Sequence, residues 1–67
     1  MNSKKIKGRM AECGVTQKEL AEAIGLAPAT ISQKINGIRP LYLNEAEKIA
    51  QALMIKESEF GSYFFGS

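Results

Sequence analysis

The chain contains no histidine, no aspartate and no tryptophan, and only one cysteine, Cys13. Without histidine and aspartate it lacks the commonest general base, the commonest metal ligand and half of the carboxylate choices. A single cysteine excludes a disulfide within a monomer and any cysteine metal cluster. No apolar run approaches the roughly 18 residues of a membrane span. No signal-peptide pattern opens the chain. The expectation is a protein that is not an enzyme, with no cofactor, no metal and no small-molecule ligand. At 67 residues the chain holds one domain, spanning 1–67. Its 45% apolar and 24% charged residues suit a small folded domain rather than a disordered tail. Ordering such a chain costs on the order of 100 kcal/mol of conformational entropy. A core this small offsets that only if it is well packed or completed by a partner.

The net charge of +2 hides an asymmetry. Through Pro40 there are seven basic residues (Lys4, Lys5, Lys7, Arg9, Lys18, Lys34, Arg39) against three Glu (Glu12, Glu19, Glu22). From Leu41 onward two Lys face four Glu. This split suits a first half that meets a polyanion, and an unevenly solvated surface would produce it equally well.

Five apolar-periodic segments are visible, with no sustained strand alternation. The first runs from about Ser3 to Cys13, with Ile6, Met10 and Cys13 on one helix face and Gly14 at its end. The second has the clearest start. Thr16 and Glu19 form a capping box, with Val15 and Leu20 as a hydrophobic staple. Leu20, Ala21 and Ile24 are its buried stripe, and Gly25 ends it. The third begins at Pro28, which suits the first helical position, and ends near Asn36-Gly37. Its cap, Ala27, offers no side-chain oxygen. The fourth begins between Tyr42 and Asn44, with Asn44/Glu47 and Tyr42/Glu45 both at capping spacing. Its apolar face is Leu43, Ala46, Ile49, Ala50 and Leu53. The fifth covers about Lys56 to Phe65, with Phe60 and Phe64 one turn apart and Gly61 weakening it.

The stretch from Thr16 to Gly37 carries the most information. An eight-residue helix, a short turn through Gly25 and a nine-residue helix fit a helix-turn-helix better than an antiparallel hairpin. The run TQKELAEAIGLAPATISQKINGIRP resembles the phage repressor and Cro type of helix-turn-helix DNA-binding domain, an XRE-like family. The resemblance rests on Thr16 to Ala21, Ile24-Gly25, Thr30-Ile31-Ser32 and Asn36-Gly37, and continues in Glu47 to Leu53. It implies an all-α, lambda-repressor-like bundle of five short helices that binds operator DNA, usually as a symmetric dimer. Two departures stand out. Ala27 occupies a cap where the family usually has Ser or Thr. Met10 and Ile35 occupy positions where many members pair an Arg with a Glu, so an apolar contact is expected in place of an ion pair.

On a wheel of about 100° per residue, Ile31 and Ile35 fall together on one side of the third helix. Ala29, Ser32, Gln33 and Asn36 fall opposite, with Thr30 on a shoulder, and the helix has no acidic residue. The second helix of this motif lies in the major groove. Gln33 is the best base reader, because its amide can pair with adenine N6 and N7. Ala29 could meet a thymine methyl group, and Ser32 and Thr30 add less discriminating hydrogen bonds. Gln17, at the start of the second helix, is a phosphate candidate, and the resemblance implies a phosphate there too. Asn36 and the backbone after Gly37, with Arg39, could hold another. Lys34 could cover the core with its stem and reach outward with its ammonium. Lys18, Lys4 and Lys5 are further candidates, although solubility alone accounts for charge at these positions.

Cys13 reads as a small core residue. Consecutive aromatics at Tyr63-Phe64-Phe65 point about 100° apart, so one short helix cannot bury all three. Tyr63 or Phe65 is then spare apolar surface for a second subunit, or the tail folds back on the first or fourth helix. The reading is a sequence-specific regulator of the repressor or Cro kind, bound to a palindromic double-stranded operator. The resemblance implies a setting in bacterial cytoplasm or a phage-infected cell. The alternative is the same fold used to hold another protein, as an antitoxin or accessory factor.

Overall fold

Asn2 opens the first helix of the computed structural model, in which residues 1–65 are described. Its side chain accepts the Lys5 N–H at 3.1 Å, and α1 (Ser3–Cys13) then runs to Gly14, which takes the left-handed conformation at φ 67°. Helix α2 (Gln17–Ile24) has the reciprocal box expected of it. Thr16 Oγ1 accepts the Glu19 N–H at 3.1 Å, and Glu19 Oε1 accepts the Thr16 N–H at 2.9 Å. Helix α3 (Pro28–Ile35) starts from Ala27 with no side-chain cap, and Pro28 at its first position lacks the N–H that would have needed one. It is one residue shorter than expected, because Asn36 serves as its C-cap.

Helix α4 (Leu43–Ala52) begins at Tyr42, which selects the Tyr42/Glu45 spacing over Asn44/Glu47. The Glu45 carboxylate accepts the Tyr42 N–H at 3.0 Å, and the Glu45 N–H returns to the Tyr42 carbonyl at 3.0 Å. No glycine ends this helix. Met54 enters the left-handed region instead, at φ 53°, the only non-glycine to do so among the described residues. Such a residue is strained by about 1–3 kcal/mol. Arg9 stabilises the end from α1: its Nε donates to the Leu53 carbonyl at 2.9 Å and its Nη2 to the Met54 carbonyl at 3.1 Å. Helix α5 (Glu57–Phe64) places Glu57 and Glu59 in its first turn, where the helix dipole favours negative charge.

One apolar cluster joins all five helices: Ile6 and Met10 from α1, Leu20, Ala21 and Ile24 from α2, Ile31 and Ile35 from α3, Ala46, Ile49 and Ala50 from α4 with Leu53 at its end, and Tyr63 and Phe64 from α5. Met10 and Ile35 are both buried in it, so the positions expected to exchange an ion pair for apolar packing are apolar and inside. Three expectations are corrected. Leu43 is exposed rather than part of the α4 core face, whose buried stripe begins at Ala46. Cys13 is only half-buried, with its thiol 3.4 Å from the Leu53 carbonyl oxygen. Tyr63 is buried, so it is not spare surface. The Asn2 N–H donates to its carbonyl at 2.9 Å, and the Lys5 ammonium lies 4.6 Å from its ring centre. Phe60 is half-buried, 4.7 Å from the Phe64 ring, and Phe65 remains exposed.

Candidate nucleic-acid interface

The turn between α2 and α3 is set by backbone hydrogen bonds. Gly25 adopts φ 76°, its N–H donates to the Glu22 carbonyl at 3.4 Å, and the Leu26 N–H reaches the Ala21 carbonyl at 2.9 Å. A residue with a Cβ would be strained in that conformation. Ala21, fully buried, lies on the stripe through which α2 packs against α3. Ile31 and Ile35 are both fully buried, which fixes the rotation of α3 about its axis. Pro28, Ala29, Gln33 and Asn36 are therefore exposed, while Thr30 and Ser32 sit half-buried on the flanks. Gln33 faces solvent at the middle of this surface.

Lys34 does not do what the sequence suggested. It is 6% exposed, and its ammonium donates to Glu45 Oε1 at 2.8 Å and to the Pro40 carbonyl at 3.0 Å. The Tyr42 ring centre lies 4.8 Å away. The stem covers the core as expected, but the head turns inward to α4 rather than outward. Burial tends to raise the pKa of the Glu45 carboxyl. The Lys34 hydrogen bond, the Tyr42 N–H and the charges of Lys34 and Lys48 together outweigh this, and hold it below the ordinary carboxylate range.

The remaining phosphate candidates divide into free and occupied groups. Arg39 and Lys18 are exposed, and Gln17 is half-exposed at the open end of α2. The backbone after Gly37 is not free: the Ile38 and Arg39 N–H groups both donate to the Gln33 carbonyl, at 2.9 and 3.3 Å. The Asn36 amide is also engaged. Its Nδ2 donates to the Ser32 carbonyl at 2.9 Å, and its Oδ1 accepts from Lys7. Lys7 is the residue that sequence reasoning missed. Ser3 and Lys7, one turn apart on α1, bond to the Ile35 carbonyl and to Asn36, which brings the Lys7 ammonium to the C-terminal edge of the α3 surface. The i, i+4 polar pair was visible in the sequence, but its partner helix was not. Glu19, in the first turn of α2, is held ionised by its Thr16 backbone and side-chain bonds, which lower its pKa.

The arrangement offers hydrogen-bond donors, acceptors and cations. No helix is long and apolar enough to cross a membrane, and no cluster of metal-ligating side chains occurs among the described residues. No curated protein and no solved structure matches the chain. A helix-turn-helix family model matches residues 6–60, from α1 into α5. The five-helix bundle, the α2–Gly25–α3 turn and this match together make the chain a member of the Cro/C1-type, XRE-like helix-turn-helix family of DNA-binding regulators.

Proposed function

We propose that the protein occupies a specific double-stranded operator, in the manner of a repressor or Cro protein, with α3 in the major groove. The observation that carries this reading is the solvent face of α3. It is polar, free of acidic residues and centred on exposed Gln33, on a helix whose rotation is fixed by Ile31 and Ile35. Gln33 reads a base edge, with Ala29, Ser32 and Thr30 beside it. Phosphates are held by Arg39, by Gln17 and Lys18 at the α2 N-terminus, and by the Lys7 ammonium at the far end of α3, where the engaged Asn36 amide positions it rather than meeting a phosphate itself.

The molecule measures 28 Å along its longest axis. Successive major-groove faces lie about 34 Å apart, so one copy reads one half-site and a palindrome needs two copies. Exposed Phe65 and Leu43 line one hollow beside the loop that carries Arg39, and they supply apolar surface for that second copy. Sedimentation of wild type and Phe65→Ser, with and without operator, tests the pairing. A wild type that stays monomeric on DNA refutes it.

Titration of a labelled mixed-sequence duplex at two salt concentrations tests the DNA reading itself. Binding should weaken steeply with salt, since neutralised phosphates release counterions. A module that holds another protein would show little duplex binding in either buffer. Selection from a random duplex pool then gives the operator.

A further inference from the structure

We propose that Lys34 is a positioning residue for the DNA-contacting loop, its buried ammonium fastening the Pro40 carbonyl and so setting where Arg39 meets a phosphate. The inference rests on the DNA reading above. Packing alone does not call for a cation here. An apolar side chain of similar volume would fill the same space without the desolvation cost, and such exchanges are often neutral or stabilising. What the charge adds is a three-way junction. Lys34 Nζ is 2.8 Å from Glu45 Oε1 on α4, 3.0 Å from the Pro40 carbonyl oxygen, and 4.8 Å from the centre of the Tyr42 ring.

Pro40 has no N–H, so its carbonyl is the only main-chain polar group through which it can be anchored. On the other side of Arg39, the Ile38 and Arg39 N–H groups donate to the Gln33 carbonyl. Arg39 is thus held from both directions, by its own N–H and by the carbonyl of the next residue, while its side chain stays exposed. Both anchors belong to α3, at Gln33 and Lys34. The loop therefore moves with the reading helix, and Arg39 keeps a fixed register relative to Gln33.

The test is a double-mutant cycle on operator affinity in a Glu45→Gln background. This background leaves no unpaired buried carboxylate when Lys34 is removed, and retains an oxygen for the Tyr42 N–H. Circular dichroism confirms folding. Arg39→Ala should weaken binding when Lys34 is present, and its effect should shrink by about fivefold in Lys34→Met, within the range seen for residues of one network. In the Arg39→Ala background, Lys34→Met should leave the salt dependence unchanged. A further fall of about 0.9 in that slope would mean that Lys34 touches a phosphate itself, and would overturn the proposal. An Arg39→Ala effect of equal size with and without Lys34 would overturn it too. If Arg39→Ala is silent while Gln33→Ala weakens binding, the proposal falls and the DNA reading stands; if both are silent, both fall. Should Lys34→Met not fold, backbone order parameters of the wild type give the answer. Arg39 and Leu41 should match the helices at about 0.85, and values below about 0.6 would overturn the proposal.

Discussion

The inward and outward sides of α3 differ in more than polarity. On the inward side Ile31 and Ile35 are wholly buried, and Lys34 is locked to α4 and to the following loop. On the outward side Ala29, Gln33 and Asn36 are exposed, and Gln33 has no hydrogen bond from its side chain to the described residues. Stability is concentrated on one side of a helix only eight residues long, and the recognition proposed above belongs to the other. A helix so short is marginal in water by itself. Its shape comes from the inward contacts and from the Asn36 bonds at its end, so the outward Ala29 and Gln33 can vary with little loss of fold. The comparison predicts that substitutions sort cleanly into two classes.

The sharpest way to break it is Ile31→Ala. Deleting this buried side chain should cost about 2–5 kcal/mol, read by urea unfolding. Much of the stability of a small domain lies in that range. Operator affinity measured on the fraction still folded should change little. Gln33→Ala should do the reverse. It should leave the urea midpoint in place, weaken operator binding by about 1–3 kcal/mol and relax preference at one base position. A Gln33→Ala protein with unchanged affinity and base preference would remove the recognition role from this side of the helix.

The sequence displayed one of these sides more fully than the other. Isoleucines four apart placed the inward stripe, and the polar residues opposite followed from it, because helical periodicity is a local property. The capping box at Thr16 and the turn at Gly25 were legible for the same reason. Lys34 was not, since a lysine flanking an apolar stripe gives no sign of which way its head turns. That depended on Glu45 and Pro40, brought together only when α4 docks. Tyr63 was hidden for a similar reason: its carbonyl is bonded by Asn2 and its ring met by Lys5, both from the opposite end of the chain. The end of α4 carried no glycine signal at all, and the left-handed Met54 is tolerated alongside a hydrogen-bonding Arg9 from another helix. Contacts local in sequence could be read; those between distant segments could not.

Thr16→Ala should produce an intermediate loss, about 1 kcal/mol, because it removes the side-chain acceptor for the Glu19 N–H at the start of α2. It sharpens the comparison by acting outside both sides of α3. Its cost should appear in thermal melting, and also in DNA affinity if the phosphate site at Gln17 depends on a well-formed first turn. A Thr16→Ser variant, which keeps the oxygen, should recover most of both.

The smallest effect is expected from acid, and its sign follows from Glu45 and Glu19. Both have folded-state pKa values below the ordinary 4.5. Their contribution is therefore complete above the unfolded value and is lost as pH falls through the folded one. The chain has no histidine, so no side chain with an ordinary pKa titrates between about pH 5.5 and 7.5, and stability should be flat there. Decline should begin below about pH 5.5, where carboxylates with unfolded values near 4.5 start to protonate, and continue as pH falls through the lower folded-state values. The drop associated with Glu45 is limited because burial opposes the Lys34 and Tyr42 bonds that lower its pKa. Glu45→Gln should make the acid limb shallower while leaving the plateau flat, as followed by urea unfolding across pH. A stability that instead rises on acidification from pH 5 to pH 4 would mean that the Lys34–Glu45 pair does not stabilise the ionised carboxylate, and would leave the inward side of α3 held by its isoleucines alone.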